Sequence, residues 1–124
     1  MNILHVAVIL TTAATILSAF ADETRSGPAT VIDGATLEIA GSRTALWGIS
    51  TADPATAAGW VAKLYLTILV ADGPISCAPK TPDRWQCLTA EGSDLGSLLV
   101  QTGQAHAVDI YYRTEEERAR AARI

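Results

Sequence analysis

The stretch Thr30–Pro54, T-V-I-D-G-A-T-L-E-I-A-G-S-R-T-A-L-W-G-I-S-T-A-D-P, decides how the rest of the chain is read. Two turn pairs divide it, Asp33-Gly34 and Gly41-Ser42. Gly accepts a positive φ without steric penalty, and Asp bonds the backbone just ahead of it. The segments they separate alternate apolar and polar residues, which predicts a meander of strands at about 29–33, 36–40 and 43–49. Thr51-Ala52-Asp53-Pro54 then predicts the start of a helix. Asp53 is a good N-cap, and Pro54 suits the first helical position, where its missing N–H costs nothing.

Working outward, the helix is expected to run to about Val70. Trp60, Leu64 and Ile68, with Val61 and Tyr65, have the spacing of a core-facing stripe. Asp72-Gly73 ends it. Residues 75–78 and 85–89 read as a strand pair, with Pro79 and Pro82 at the bend between them. Ser93 or Asp94 caps a second helix over 95–101, stopped by Gly103, and His106 falls at a strand position. A last helix is expected over 114–124, with Thr114 and Glu117 as its capping box.

Upstream, residues 1–21 contain no Lys, Arg, Asp or Glu, and an apolar run leads to Ala19-Phe20-Ala21. That is the layout of a cleaved secretory signal peptide, although no Lys or Arg marks its start. A retained anchor is the alternative, since the run is just long enough to span a bilayer. Residues 22–28 read as a short polar linker and 29–124 as one domain. An exported chain with two cysteines, Cys77 and Cys87, is expected to bond them, because oxidising compartments preserve disulfides and small domains gain most from a staple. Two buried free thiols remain the alternative. Zinc is not expected from two cysteines and His106, since it takes four ligands. Thirteen acidic against nine basic residues give a net charge of −4 and no basic stripe. This balance argues against a nucleic-acid partner, because phosphate neutralisation supplies most of such affinity.

The meander resembles the opening of staphylococcal-nuclease-like (thermonuclease) domains, which write V-x-D-G-D-T and then R-L-x-G-I-D-x-P-E. Val31, Asp33, Gly34, Thr36, Leu46, Gly48 and Ile49 match. The string G-S-D-L-G-S-L-L-V-Q-T-G-Q-A, residues 92–105, is similar to the family's second helix, so the likeness covers about 29–124. It implies an α+β, mainly β fold: a five-stranded OB-type barrel with about three packed helices.

The resemblance also implies a site, and here the chain departs from it. Ala35 stands where relatives carry a metal-binding Asp, and Ser50 where they carry a second. Ala45 replaces a phosphate-clamping Arg, and Asp53 replaces the glutamate base with a shorter side chain. The stretch Asp83-Arg84-Trp85-Gln86-Cys87 corresponds to D-[RK]-Y-G-R and lacks its final arginine. Calcium wants several oxygen ligands, carboxylates first among them. Asp33 survives as a vestigial ligand, with a turn role as its plainer reading, and Asp53 as a vestigial base, with a helix cap as its plainer reading. The Thr51 carbonyl corresponds to a family ligand but holds no calcium alone. Ser50 has no histidine near it in sequence, and its one candidate partner, His106, reads as structural. Tyr111 and Tyr112 occupy the place of cleft-flanking tyrosines but read as packing, as do Trp47 and Trp60.

The expectation is therefore an exported protein, secreted or periplasmic, monomeric and without cofactor. It is expected to be catalytically inactive and to act as a binding or structural module for an unknown ligand or protein. The alternatives are a calcium-dependent nuclease with a site rebuilt on Asp33 and Asp53, and a membrane-tethered accessory domain.

Overall fold

The structure is a computed structural model and describes residues 24–122. The expected signal peptide and the last two residues of the expected final helix lie outside the described residues. Within them the chain is α+β and mainly strand: β1 Arg25–Gly27, β2 Ala29–Asp33, β3 Thr36–Ile39, β4 Ser42–Ala45, β5 Ile49–Thr51, helix α1 Ala57–Leu69, β6 Ile75–Thr81, β7 Arg84–Leu88, helix α2 Leu95–Gln101, β8 Ala105–Ala107 and helix α3 Ile110–Ala122. The strands hydrogen-bond in three sheets, β1-β6-β7, β2-β3-β4 and β5-β8, and no closed barrel is formed among the described residues. No described helix is long and apolar enough to cross a membrane.

The meander forms as expected, with local differences. Ile39 pairs with Ser42, so the hairpin loop is Ala40-Gly41 and Ser42 already belongs to β4. Both loop residues have positive φ, 52° and 79°. That is the backbone of a type I′ turn, whose twist matches its flanking strands. The third expected strand is interrupted. After β4, Leu46 makes an isolated bridge to Trp85, and Gly48 takes φ 81° before β5 begins. A side chain at Gly48 would also strike Tyr112, whose ring would lie 2.7 Å from the added Cβ. The expected linker is partly structured as well: Arg25–Gly27 pairs antiparallel with Gly27↔Ile75 and Arg25↔Cys77 in register. Its alternation of half-buried and exposed residues is that of an edge strand.

The largest correction concerns α1. Its N-cap is Thr56, whose hydroxyl accepts from Gly59 N at 3.0 Å, and Asp53 instead opens the turn before it. The face that packs inward is Gly59, Ala62 and Leu66; Trp60, Val61, Leu64 and Ile68 are exposed. The reason is steric. A Cβ on Gly34 would lie 2.7 Å from the Ala62 Cβ, and one on Gly59 would collide with the Asp53 carbonyl. The helix approaches the meander through its smallest residues, so the bulky stripe is turned out.

The core joins both layers: Leu37, Ile39, Leu46 and Ile49 from the meander, Leu66 and Val70 from α1, Ile75, Trp85 and both cysteines from β6–β7, and Leu95, Leu99, Val100 and Tyr112 from α2 and α3. Cys77 and Cys87 form a disulfide and are directly opposite each other in the β6–β7 ladder. Helix α2 begins as expected on Asp94, whose carboxylate accepts from Gly96 N at 2.9 Å. Such a cap contributes about 1 kcal/mol. The last helix starts four residues before its expected capping box. Asp109 takes that role, its carboxylate accepting from Tyr111 N at 2.8 Å, while Thr114 sits inside the helix.

Candidate functional site

The turn between β2 and β3 gathers several of the residues singled out in the sequence. Asp33 pairs with Thr36, and Thr36 pairs with Ala45 on the next strand. Leu46 N donates to Ala35 O at 2.8 Å, which locks the Ala45–Leu46 segment beside the turn. Gly34 faces α1 and the Thr51 hydroxyl, to which an added Cβ would come within 3.4 Å. Asp33, Ala35 and Ala45 are thus neighbours through backbone register, and the Thr51 hydroxyl comes close to Gly34. The side chains at this corner are one carboxylate, two methyl groups and one hydroxyl.

That carboxylate is engaged in the turn itself: Asp33 Oδ1 accepts from Ala35 N at 2.9 Å. Asp53 is exposed, and its carboxylate accepts from Ala55 N at 2.8 Å. Each acid therefore serves the local backbone, which is what short Asp side chains do in turns. Ser50 is exposed on β5, between buried Ile49 and half-buried Thr51. These donors do not fit calcium, which takes six to eight oxygens at about 2.3–2.6 Å. Among the described residues no three His, Cys, Asp or Glu side chains gather as a metal site.

Ser50 does acquire a neighbour that sequence distance concealed. It pairs directly with His106 across the β5–β8 ladder. His106 Nδ1 lies 2.9 Å from Glu116 Oε2, and the same carboxylate oxygen accepts from Ala107 N at 3.2 Å. The hydrogen bond from His106, with Ala107 N and Arg120 adding to it, holds the Glu116 carboxyl below its ordinary value. The imidazole itself is three-quarters exposed. This arrangement ties α3 to β8, so the structural reading of His106 agrees with where it sits.

The second cluster is aromatic. Trp47 lies 5.7 Å from both Tyr111 and Tyr112, and the two tyrosines meet edge-on at 4.9 Å. Lys80 Nζ stands 4.9 Å above the Trp47 ring, a cation–π distance. Tyr112 is buried and donates to the Asp94 carboxylate at 2.9 Å. Burial, with that carboxylate beside it, pushes its hydroxyl far above the usual tyrosine range. Gln86 Nε2 donates to the same carboxylate at 2.6 Å. Tyr112 is therefore part of the core, whereas Tyr111 is exposed and borders a cleft of about 500 Å³ with Arg25, Ser76, Gln86 and Leu88. Arg25 stacks on Trp85 at 3.9 Å and donates to Arg43 O at 2.7 Å. A cleft with an aromatic wall, an amide and a guanidinium at its edge has the makings of a small-ligand site.

Arg25 was hidden in the expected linker, and nothing in the local sequence signals its role. Gln86 and Tyr111 lie 25 residues apart, and only the fold joins them. No protein-family model and no curated protein matches this chain.

Proposed function

We propose that this chain is an exported, staphylococcal-nuclease-like protein that has kept the family scaffold, lost its phosphodiester chemistry, and serves as a binding or structural module. The observation that carries the reading is the β2–β3 corner, where Ala35 and Ala45 stand at positions that the resemblance gives to a metal carboxylate and an arginine, with Ser50 on β5 in place of a second carboxylate. Its one remaining acid, Asp33, is bonded to Ala35 N. Each missing donor to a developing charge costs on the order of 10²–10³ in rate. The Asp83–Cys87 stretch lacks the arginine that would supply a second guanidinium.

An OB-type barrel, interrupted in its hydrogen bonding, is the finer reading of the fold. Two features support it. Strands β1 and β2 are separated by Pro28 alone and belong to different sheets, so one path links them. At the other side the parallel Leu46–Trp85 bridge, with Trp47 N donating to Trp85 O at 2.8 Å, joins the end of β4 to β7. The disulfide supports export, because such bonds persist in oxidising compartments. Ligand binding is assigned to the cleft at Tyr111, and the net charge of −4 favours a partner other than nucleic acid.

The test is incubation of the purified protein with DNA and with RNA, with calcium or with chelator. No cleavage above a blank is expected. Calcium-dependent cleavage that disappears in Asp33→Ala would overturn the reading.

A further inference from the structure

The sheet β1-β6-β7 has two unlike faces. Pairing sets Arg25 opposite Cys77 and Cys77 opposite Cys87, while Ser26 meets Ser76 and Ser76 meets Leu88. Side chains alternate along a strand, so Arg25, Trp85 and the cysteines share one face, and Ser26, Ser76, Ala78, Gln86 and Leu88 share the other. The first face is core. Cys77, Trp85 and Cys87 are buried, and the Arg25 guanidinium is committed there, stacked on Trp85 and donating to Arg43 O and Thr44 Oγ1. The second face is the floor of the cleft of about 500 Å³, and Tyr111 is its wall. Among the described residues, Arg25 apart, no residue lining it is charged.

We infer that this cleft binds a neutral pyranose, free or at the end of a glycan, with the sugar ring laid on Tyr111. The inference rests on the assignment of ligand binding to this cleft. Tyr111 is 55% exposed yet held in place: its ring meets Tyr112 edge-on at 4.9 Å and lies 5.7 Å from Trp47, and its N–H donates to Asp109. The face of an aromatic ring is negative, and it attracts the polarised C–H bonds of a sugar.

The polar groups beside the ring are oriented as well. A carboxylate only accepts, so the Gln86 nitrogen faces Asp94 at 2.6 Å, with the Tyr111 hydroxyl 3.4 Å away. Gln86 Oε1 accepts from no donor among the described residues. The Asp94 carboxylate behind it is occupied by Tyr112, Gly96 N and Ser97 N. The Ser26 and Ser76 hydroxyls stand 3.5 Å apart, and each can donate or accept. One acceptor and two reversible hydroxyls, without charge, match the edge of a ring that carries several hydroxyl groups. A wholly apolar ligand would strip water from these groups and leave them unpaired, which costs affinity. A phosphate or carboxylate would find no cation on this face, in a chain of net charge −4. The volume falls within the roughly 300–1,000 Å³ of small-ligand sites.

The test is a titration of the full purified chain, followed by amide NMR, with glucose, with cellobiose and with phenol as an apolar aromatic probe. Both sugars should shift the Gln86 side-chain amide and the Ser26 and Ser76 amides, with a dissociation constant of about 0.1–10 mM. Tighter binding of cellobiose would mark a glycan as the ligand, and equal binding a free sugar. Tyr111→Ala should weaken sugar binding at least about tenfold, whereas Tyr111→Phe, which keeps the ring, should stay within about threefold. Ser76→Val, an exposed change that suits a strand, should also weaken it at least about threefold, with an unchanged circular dichroism spectrum. Sugar binding that survives both Tyr111→Ala and Ser76→Val would overturn the inference. If phenol alone shifts the cleft, the sugar is wrong and the cleft assignment stands; if none of the three probes shifts it, both fall.

Discussion

Glu116 concentrates more of the polar contacts between α3 and the sheets than any acid in the β2–β3 corner. One of its oxygens meets His106 Nδ1 and Ala107 N, and the other lies 3.6 Å from Arg120. Its carboxyl is held below the ordinary value of 4.5, first by the His106 hydrogen bond. A carboxyl depressed by folding stabilises the native state above its unfolded pKa, and that contribution is lost as pH falls through the folded value. Glu116→Gln should therefore lower stability at neutral pH and reduce the further loss on acidification below about pH 4.5. Urea unfolding of both proteins at neutral and acid pH checks this; parallel losses on acidification would contradict it. At this scale the sequence was legible where a residue acts on its neighbours: the Asp33 turn and the Asp94 cap follow from local chemistry. It was illegible where partners are distant. Ser50 meets His106, and Gln86 meets Tyr111, only because strands and helices bring them together.

Element boundaries show the same division between local and tertiary causes. The β2–β3–β4 meander and α2 follow from turn residues, alternation and capping, and lie close to where these signals put them. The stripe on α1 was legible as a stripe, but its direction was not, because periodicity cannot tell a buried apolar face from an exposed one. The Gly34–Ala62 approach decides it. Between β6 and β7 the disulfide closes a sequence separation of 10 and is buried at both ends. In the chain-entropy model such a loop contributes roughly 3 kcal/mol. Replacing both cysteines with alanine should lower the melting temperature by roughly 10–20 °C for a domain of this size. A loss of less than a few degrees, measured by calorimetry, would show that core packing around Cys77 and Cys87 holds the hairpin without the bond.

Across the whole molecule, one hydrophobic core joins meander, hairpin and helices, while the acid of the β2–β3 corner is bonded within its own turn. Under the proposed reading, scaffold and site are separate: Ala35 and Ser50 stand where the resemblance calls for carboxylates. The division of the strands into three sheets was not legible, because it depends on long-range contacts such as the single Leu46–Trp85 bridge, which no local pattern encodes. Calcium titration by calorimetry, comparing wild type with the Ala35→Asp, Ser50→Asp double variant, tests this separation most directly. The account predicts no binding by wild type and binding by the double variant at about millimolar calcium, the range of weak oxygen-ligand sites. Calcium binding by wild type, or a folded double variant that binds none, would contradict it.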